Sequence, residues 1–518
     1  MSNKKIIRRS IIVMALIITG KILGLVRDSL IAAKFGATYV TDIYSFALGI
    51  VYLLTTISYG LTTTFIPMHT EHLQKSSKEV RDRFVNKVIS VSAVFTIILT
   101  IILIVFSKYI IFIFGHGFGN DPKVFASSVR ITRIMLISLI FVSIQSVVTG
   151  VLQAHKEFYE PAAMSMVSNI IYVMYLIFLT SKFGIVGFAA ATVMGFFMQF
   201  LINVPKYKKL GYSYNLVFDF KDKEVNYMFK LMIPVIISTS VVQLNAFVNR
   251  SFATNIFFGA VTILEFANKV NTLAYEVFAI GISMIIYPTL SELAVKGNKE
   301  EYKKALGRGI STIMIIMIPA AVAIGLLRQP LITIIFKRGA FGNNAANLTS
   351  NALFFYCPAM VAYGVRDILN KAFYAIKDTK TPMINSFIGI FINIVINIFI
   401  VKYMQVSGLT LATTVSSIVT TLLMFWNLNK KLNGMEIKKI FISFMKIVMS
   451  STLMGIIIFI INKLTLTKVG SGMKGSITSI LACFIFGSLA YFICLHITKI
   501  EEYKLLTQSF KSKFSNHI

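Results

Sequence analysis

AHKEFYEPAAMSMVSNIIYVMYLIFLTSKFGIVGFAAATV, residues 154–193, carries one apolar run and opens a second, the two parted by Lys182 and Gly184. A helix needs roughly 20 apolar residues to cross the hydrocarbon core of a bilayer, and both runs reach that length once the second is followed to residue 204. Shifted by 221 residues, the stretch matches 375–414 without a gap. Ala154 meets Ala375, Lys156 meets Lys377, Pro161 meets Pro382, Ser165 meets Ser386, Gly187 meets Gly408 and Thr192 meets Thr413. Upstream, Gly60, Pro67, Glu71, Lys78 and Glu79 fall on Gly281, Pro288, Glu292, Lys299 and Glu300 at the same offset. Apolar sequences match by chance; charge, proline and glycine at one offset do not.

The whole chain fits an integral membrane protein. Of 518 residues 56% are apolar and 14% charged, and the mean hydropathy is +0.76. A water-soluble protein of this length has too little polar surface for that composition. The span template predicts fourteen transmembrane helices: 11–33, 41–68, 88–107, 124–153, 161–181, 184–204, 231–255, 261–290, 309–327, 346–370, 382–401, 405–426, 440–461 and 475–497. The first is no cleavable signal, being long and followed at once by another span. An even count puts both termini on one side. With that side cytoplasmic, 33 of the 51 Lys and Arg lie inside and 11 outside, as the positive-inside rule requires. The net charge of +30 therefore points to basic inner loops and an anionic lipid or ligand, not to nucleic acid. Cys357, Cys483 and Cys494 all lie in apolar runs, which suits neither a disulfide framework nor a thiolate metal site.

The repeat divides the chain into an N-lobe (1–217, six spans), a C-lobe (218–438, six spans) and an addition (439–518, two spans and a cytoplasmic tail). Six is even, so the lobes share an orientation. They are expected to face each other across a midplane site, as in alternating-access transporters.

Seven basic residues fall inside spans: Lys21, Arg27, Arg130, Arg133, Arg250, Lys269 and Arg366. Each costs about 2.5–3.5 kcal/mol at a helix centre, so they should face water or a partner. At 100° per residue, Lys21, Gly20, Gly24, Arg27 and Asp28 share one side of the first span. Asp42, Ser45, Gly49, Tyr52, Thr56, Tyr59 and Thr63 share a side of the second. On the seventh, Gln243 goes with Arg250 and Asn245 with Asn249. On the eighth, Glu265, Lys269, Thr272 and Glu276 form one stripe. These are the first two helices of each lobe. Each feature has a plainer reading: an Arg27–Asp28 structural pair, close helix packing at Gly20-x-x-x-Gly24, snorkelling of Arg130, Arg133 and Arg250, and a structural pair or gate at Arg366–Asp367. No catalytic constellation, Walker motif or metal-ligand spacing appears, so the chain reads as no enzyme; His69 and His72 sit in a basic loop, and Gly115-x-Gly117-x-Gly119 reads as a flexible outer turn.

GKILGLVRDSLIAAKFGATYVTDIYSFAL (20–48), LQAHKEFYEPAAMSMVSNI (152–170) and NKAFYAIKDTKTPMINS (370–386) resemble the MurJ (MviN) family of lipid II flippases, within a superfamily that includes MATE drug exporters. The resemblance covers nearly the whole chain. It implies a flippase of the bacterial cytoplasmic membrane that moves undecaprenyl-pyrophosphate-linked peptidoglycan precursor to the outer leaflet for cell-wall synthesis. It implies a cationic cavity lined by spans 1, 2, 7 and 8, with Lys21, Arg27 and Lys269 as essential cations and Asp28 and Asp42 as companions. Thr56, Arg250, Glu265 and Glu276 complete the expected substrate-binding set. Lys21 and Lys269 stand where the family commonly has Arg, and Thr56 where some members carry another. Spans 13 and 14 are expected to form a groove for the lipid tail. No cofactor is implied; sodium, protons or membrane potential would drive the cycle, with Asn245, Asn249, Asn393 and Thr413 as a loose sodium set. Lipid II and membrane lipids are the expected partners, with the wall-synthesis machinery a further one. An exporter of another polyprenyl-linked glycan or of a drug is the alternative, as is a scaffold that transports nothing; drug exporters of this superfamily usually take cations at acidic sites.

Overall fold

A computed structural model describes residues 3–219, 221–498, 500 and 503 of the chain. The cytoplasmic tail expected after residue 497 lies almost entirely outside the described residues. Fifteen α-helices and one 3-10 turn account for the described secondary structure, with no strand among the described residues. They are α1 (Asn3–Phe35), α2 (Tyr39–Lys75), α3 (Lys78–Phe114), α4 (Pro122–Leu136), α5 (Ser138–Ala154), α6 (Tyr159–Phe178), α7 (Thr180–Lys209), α8 (Lys223–Thr254), α9 (Ala260–Val295), α10 (Lys299–Leu326), α11 (Arg328–Ile335), α12 (Asn343–Ala375), α13 (Lys380–Lys431), α14 (Ile437–Val469) and α15 (Met473–Thr498). The 3-10 turn is His116–Asn120.

These elements accommodate the fourteen predicted spans. α4 and α5, parted only at Ile137, form the fourth. α13 is two helices joined at Gln405, whose backbone is not helical. Its 52 residues would measure about 78 Å as one helix, more than twice a hydrocarbon core, so it supplies the eleventh and twelfth spans. α11, with 8 residues, is too short to cross.

Local chemistry sets several helix starts. Pro122 occupies the first turn of α4, and Asp121 Oδ1 accepts the Lys123 N–H at 2.7 Å. Asp222 Oδ1 accepts from the N–H groups of Glu224 and Val225 at 2.8 and 3.0 Å to start α8. Such caps are worth about 1 kcal/mol each.

The chain folds as two compact units. The first comprises residues 1–262 with 338–341. In it α1 packs along α6, and α2 along α5 and α8. One end of it is a core of Phe65, Phe84, Val88, Val148, Tyr212 and Met228. The α7–α8 connection is tied to this end, because Lys87 Nζ pairs with Asp219 at 3.1 Å and also with Asp222. The second unit comprises residues 263–337 and 342–518. There α12 packs on α13, α10 on α12 and α14, and α14 on α15. The Tyr491 hydroxyl of α15 donates to the Ile315 carbonyl of α10 at 2.7 Å.

The sequence repeat is visible in the backbone. Lys156 and Lys377, 221 residues apart, both adopt left-handed φ, 61° and 59°. Gly184 and Gln405, at the same separation, interrupt their helices with φ of 54° and 49°.

Candidate functional site

Arg27 sits where α1 meets α6. The contact is close because α1 presents glycine: a Cβ on Gly20 would lie 3.1 Å from Ser165 Cβ, and one on Gly24 would lie 3.5 Å from Asn169 Nδ2. The Gly20-x-x-x-Gly24 face is thus a helix-packing face. Arg27 Nε and Nη2 both donate to Asp28 Oδ1, at 2.9 and 2.7 Å. Arg27 Nη1 donates to Asn169 Oδ1 at 3.0 Å, and the guanidinium lies 5.7 Å from the Tyr172 ring centre. Tyr172 is itself held, its hydroxyl donating to the Thr192 carbonyl at 3.3 Å, and the Thr192 hydroxyl lies 3.1 Å from that of Tyr44. The Arg27 side chain is 11% exposed and that of Asp28 9%. A guanidinium this deep would cost several kcal/mol alone; the carboxylate and the amide oxygen offset that cost.

Sequence reasoning identified Arg27 and Asp28 but missed Asn169, Tyr172, Tyr44 and Thr192. An asparagine in an apolar run is a signal of its own, and Asn169 falls inside residues 152–170. Its partner, 142 residues away, could not be read from spacing.

The other expected residues are distributed as follows. Lys21 is half-buried on α1. Thr56 Oγ1 donates to its own helix at Leu53 O (2.6 Å) and lies 3.0 Å from Ser240 Oγ of α8. Arg250 is 6% exposed and lies against α2 at Gly49, where a Cβ would come within 2.7 Å of its Cδ. Arg130 and Arg133 are exposed, and Arg133 Nε donates to Ser107 Oγ at 2.9 Å. Asn245 and Asn249 lie on α8 in the first unit. In the second unit, Glu265, Lys269 and Glu276 are half-buried on α9. Also there, Asn393 Nδ2 donates to Thr413 Oγ1 at 3.4 Å, and Asn397 Nδ2 to Asn393 Oδ1 at 3.1 Å. Arg366 lies over the Tyr363 ring at 5.1 Å, while Asp367 takes Lys371 Nζ at 2.8 Å.

Asp42 is 1% exposed and holds the start of α9. Its carboxylate accepts from Gly259 N–H (2.5 Å), Thr262 N–H (2.8 Å) and the Thr262 hydroxyl (2.6 Å). Beside it, backbone meets backbone: Ala340 N–H donates to the Ala33 carbonyl at 2.9 Å. Gly339 and Gly259 make this seam possible. Both have positive φ, 55° and 104°, and a Cβ would lie 2.3 Å from Ala33 O or 2.4 Å from Ala37 O. The turn around Gly117, expected to be flexible, is instead packed: Phe118 is fully buried, and the Gly117 N–H donates to Thr254 Oγ1 at 3.4 Å.

At the C-terminal end of α2 its two histidines part company. His69 Nε2 lies 3.0 Å from the Tyr212 hydroxyl, which also lies 2.9 Å from His155 Nε2. His72 lies 2.6 Å from Glu224 and 2.9 Å from Ser76 Oγ. Arg81 stacks 4.3 Å from the Tyr212 ring centre. Burial, then the Arg81 cation, pushes the His155 pKa down, with Glu157 pulling the other way. Burial likewise pushes the Tyr212 hydroxyl up.

The second unit contains an apolar cavity of about 1140 Å³, above the roughly 300–1,000 Å³ of ordinary small-molecule pockets. Met314, Phe354, Leu422, Phe425, Phe444 and Phe459 are among the residues lining it. They come from α10, α12, the second half of α13, and α14; among the described residues, α15 contributes nothing to the lining.

Comparison with known proteins places this geometry in a family. The model of the lipid II flippase MurJ family matches residues 31–478. The chain is 26% identical over 490 residues to the probable lipid II flippase MurJ of Buchnera aphidicola subsp. Acyrthosiphon pisum, covering 93% of this chain and 95% of the relative. It is 26% identical over 419 residues to the lipid II flippase MurJ of Burkholderia cenocepacia, covering 79% and 81%. A solved lipid II flippase MurJ in an inward closed conformation superposes with a TM-score of 0.80 at 25% identity, covering 94% of this chain and 98% of that one. An inward-facing multidrug resistance MATE family transporter of the MOP superfamily superposes at 0.67 with 14% identity, over 82% and 98%, a likeness of fold. The chain belongs to the lipid II flippase MurJ family.

Proposed function

We propose that the protein moves lipid II, the polyprenyl-pyrophosphate-linked peptidoglycan precursor, from the inner to the outer leaflet of the bacterial cytoplasmic membrane by alternating access. Membership of the family supports this reading. The single structural observation behind it is the Arg27 guanidinium, kept inside the helix bundle and held in place by Asp28 and Asn169. The physical problem is a charged headgroup crossing about 30 Å of hydrocarbon. Fixed cations that replace the water around a diphosphate lower that barrier.

In this reading Arg27 and Lys21 of the first unit engage the diphosphate, and Lys269 adds a cation to the α9 stripe of the second. Glu265 and Glu276 keep the α9 stripe wetted, and the polyprenyl tail occupies the apolar cavity beside α14. Both termini are cytoplasmic. Membrane potential, at about 2.3 kcal/mol per charge per 100 mV, or a coupled cation drives the cycle. The test is a leaflet-accessibility assay for lipid II in cells whose only copy of the gene is wild type or Arg27→Ala. The variant is expected to leave lipid II on the inner leaflet and to stop growth. Wild-type export and growth would reject the reading.

A further inference from the structure

Arg27 has five N–H donors in a planar fork. Nε and Nη2 spend one each on Asp28, and Nη1 spends one on Asn169. One N–H on each terminal nitrogen is left over, the pairing an anion with two oxygens can use. What aims that pair is the amide of Asn169, which is 4% exposed. An amide can present either end to a neighbour, and here the neighbours choose. Asn169 Nδ2 has two hydrogens, and they have two acceptors: the Gly20 carbonyl at 3.0 Å and Ser165 Oγ at 3.3 Å. Both are fixed by the α1–α6 contact. The carbonyl end is therefore turned toward Arg27, where only an acceptor fits.

We propose that Asn169 is a positioning residue for the headgroup site: it locks the Arg27 guanidinium so that its remaining donors face a diphosphate. This rests on the proposed function and deepens it. A neutral amide is the fitting choice. A carboxylate at 169 would keep the acceptor, but Arg27 would then lie between two anions, and its attraction for a third would fall.

The experiment uses the full-length protein in lipid nanodiscs and measures binding of undecaprenyl diphosphate and of undecaprenol, which lacks phosphate. Asn169→Leu keeps volume and removes the acceptor. It is expected to weaken diphosphate binding about fivefold to tenfold, because a guanidinium no longer held in place must be ordered by the ligand, with undecaprenol binding unchanged; the melting temperature should fall as well, since the Arg27 donor and the Gly20 carbonyl each lose a partner. Asn169→Asp is expected to weaken the diphosphate more than Asn169→Leu does. In the Arg27→Ala background, Asn169→Leu should cost nothing further, since residues acting through one group are non-additive. Additive losses, equal weakening of both probes, or diphosphate binding by Asn169→Asp at or above the Asn169→Leu level would overturn the proposal and leave Asn169 as packing. If Arg27→Ala itself bound the diphosphate normally, the function reading would fall with it.

Discussion

His155 shows how a single residue can make the first unit sensitive to pH. It closes the last turn of α5 and shares the Tyr212 hydroxyl with His69, with Arg81 stacked on the same tyrosine. Glu157, which pairs with Lys206 at 2.9 Å, is its acidic neighbour. Burial and the Arg81 cation hold its folded pKa below the ordinary value of about 6.5. Above that value the imidazole is neutral in both states and the contact is fully present. As pH falls below it, the unfolded chain binds a proton that the folded one resists, so stability is lost. The purified protein should melt at a lower temperature at pH 5.5 than at 7.5, and His155→Gln should flatten that slope. A slope unchanged by His155→Gln would show that the sensitivity lies elsewhere.

At the scale of helices, two features of backbone geometry invite substitution. Lys156 and Lys377 end α5 and α12 in the left-handed region, which costs an L-residue roughly 1–2 kcal/mol. Replacing either with glycine removes that strain and adds some unfolded-state entropy. A net gain of roughly 0.5 kcal/mol is expected, seen as a slightly higher melting temperature for Lys156→Gly and Lys377→Gly. Gly259 and Gly339 should behave oppositely. A methyl group at either position meets a carbonyl oxygen at 2.4 or 2.3 Å, and the backbone is again left-handed. Gly259→Ala and Gly339→Ala should part the seam beside Asp42. In a background without native cysteines, Ala37→Cys should then react faster with a membrane-impermeant maleimide; unchanged reactivity would mean that the seam tolerates a side chain.

For the molecule as a whole, fourteen spans and the skewed distribution of Lys and Arg predict which loops face which side. Lys296→Cys, between α9 and α10, should be labelled by an impermeant thiol reagent only after the membrane is permeabilised. Lys468→Cys, at the end of α14, should be labelled in intact spheroplasts. The reverse pattern would invert the proposed transport direction. A large substrate with one charged end and one apolar end also asks two things of the same chain. The proposed reading gives the charged end to Arg27 of the first unit and the apolar end to the cavity of the second.

Sequence alone determined the membrane class, the approximate number of spans and the repeat. Each is written in composition or in a period along the chain, and the bilayer reads hydropathy segment by segment. It also singled out Arg27, because an ionised group in an apolar run is conspicuous wherever it points. It did not reveal that Asn169 aims that guanidinium, or that the Asp42 carboxylate caps α9 across 217 residues of chain. Nor did it indicate that the apolar cavity is walled by α10, α12, α13 and α14. Arg366 and Asp367, adjacent in sequence, lie against Tyr363 and Lys371 respectively. Those outcomes depend on which helix faces meet, and helix faces in lipid meet through close packing and hydrogen bonds between distant residues. Only the tertiary structure fixes those contacts.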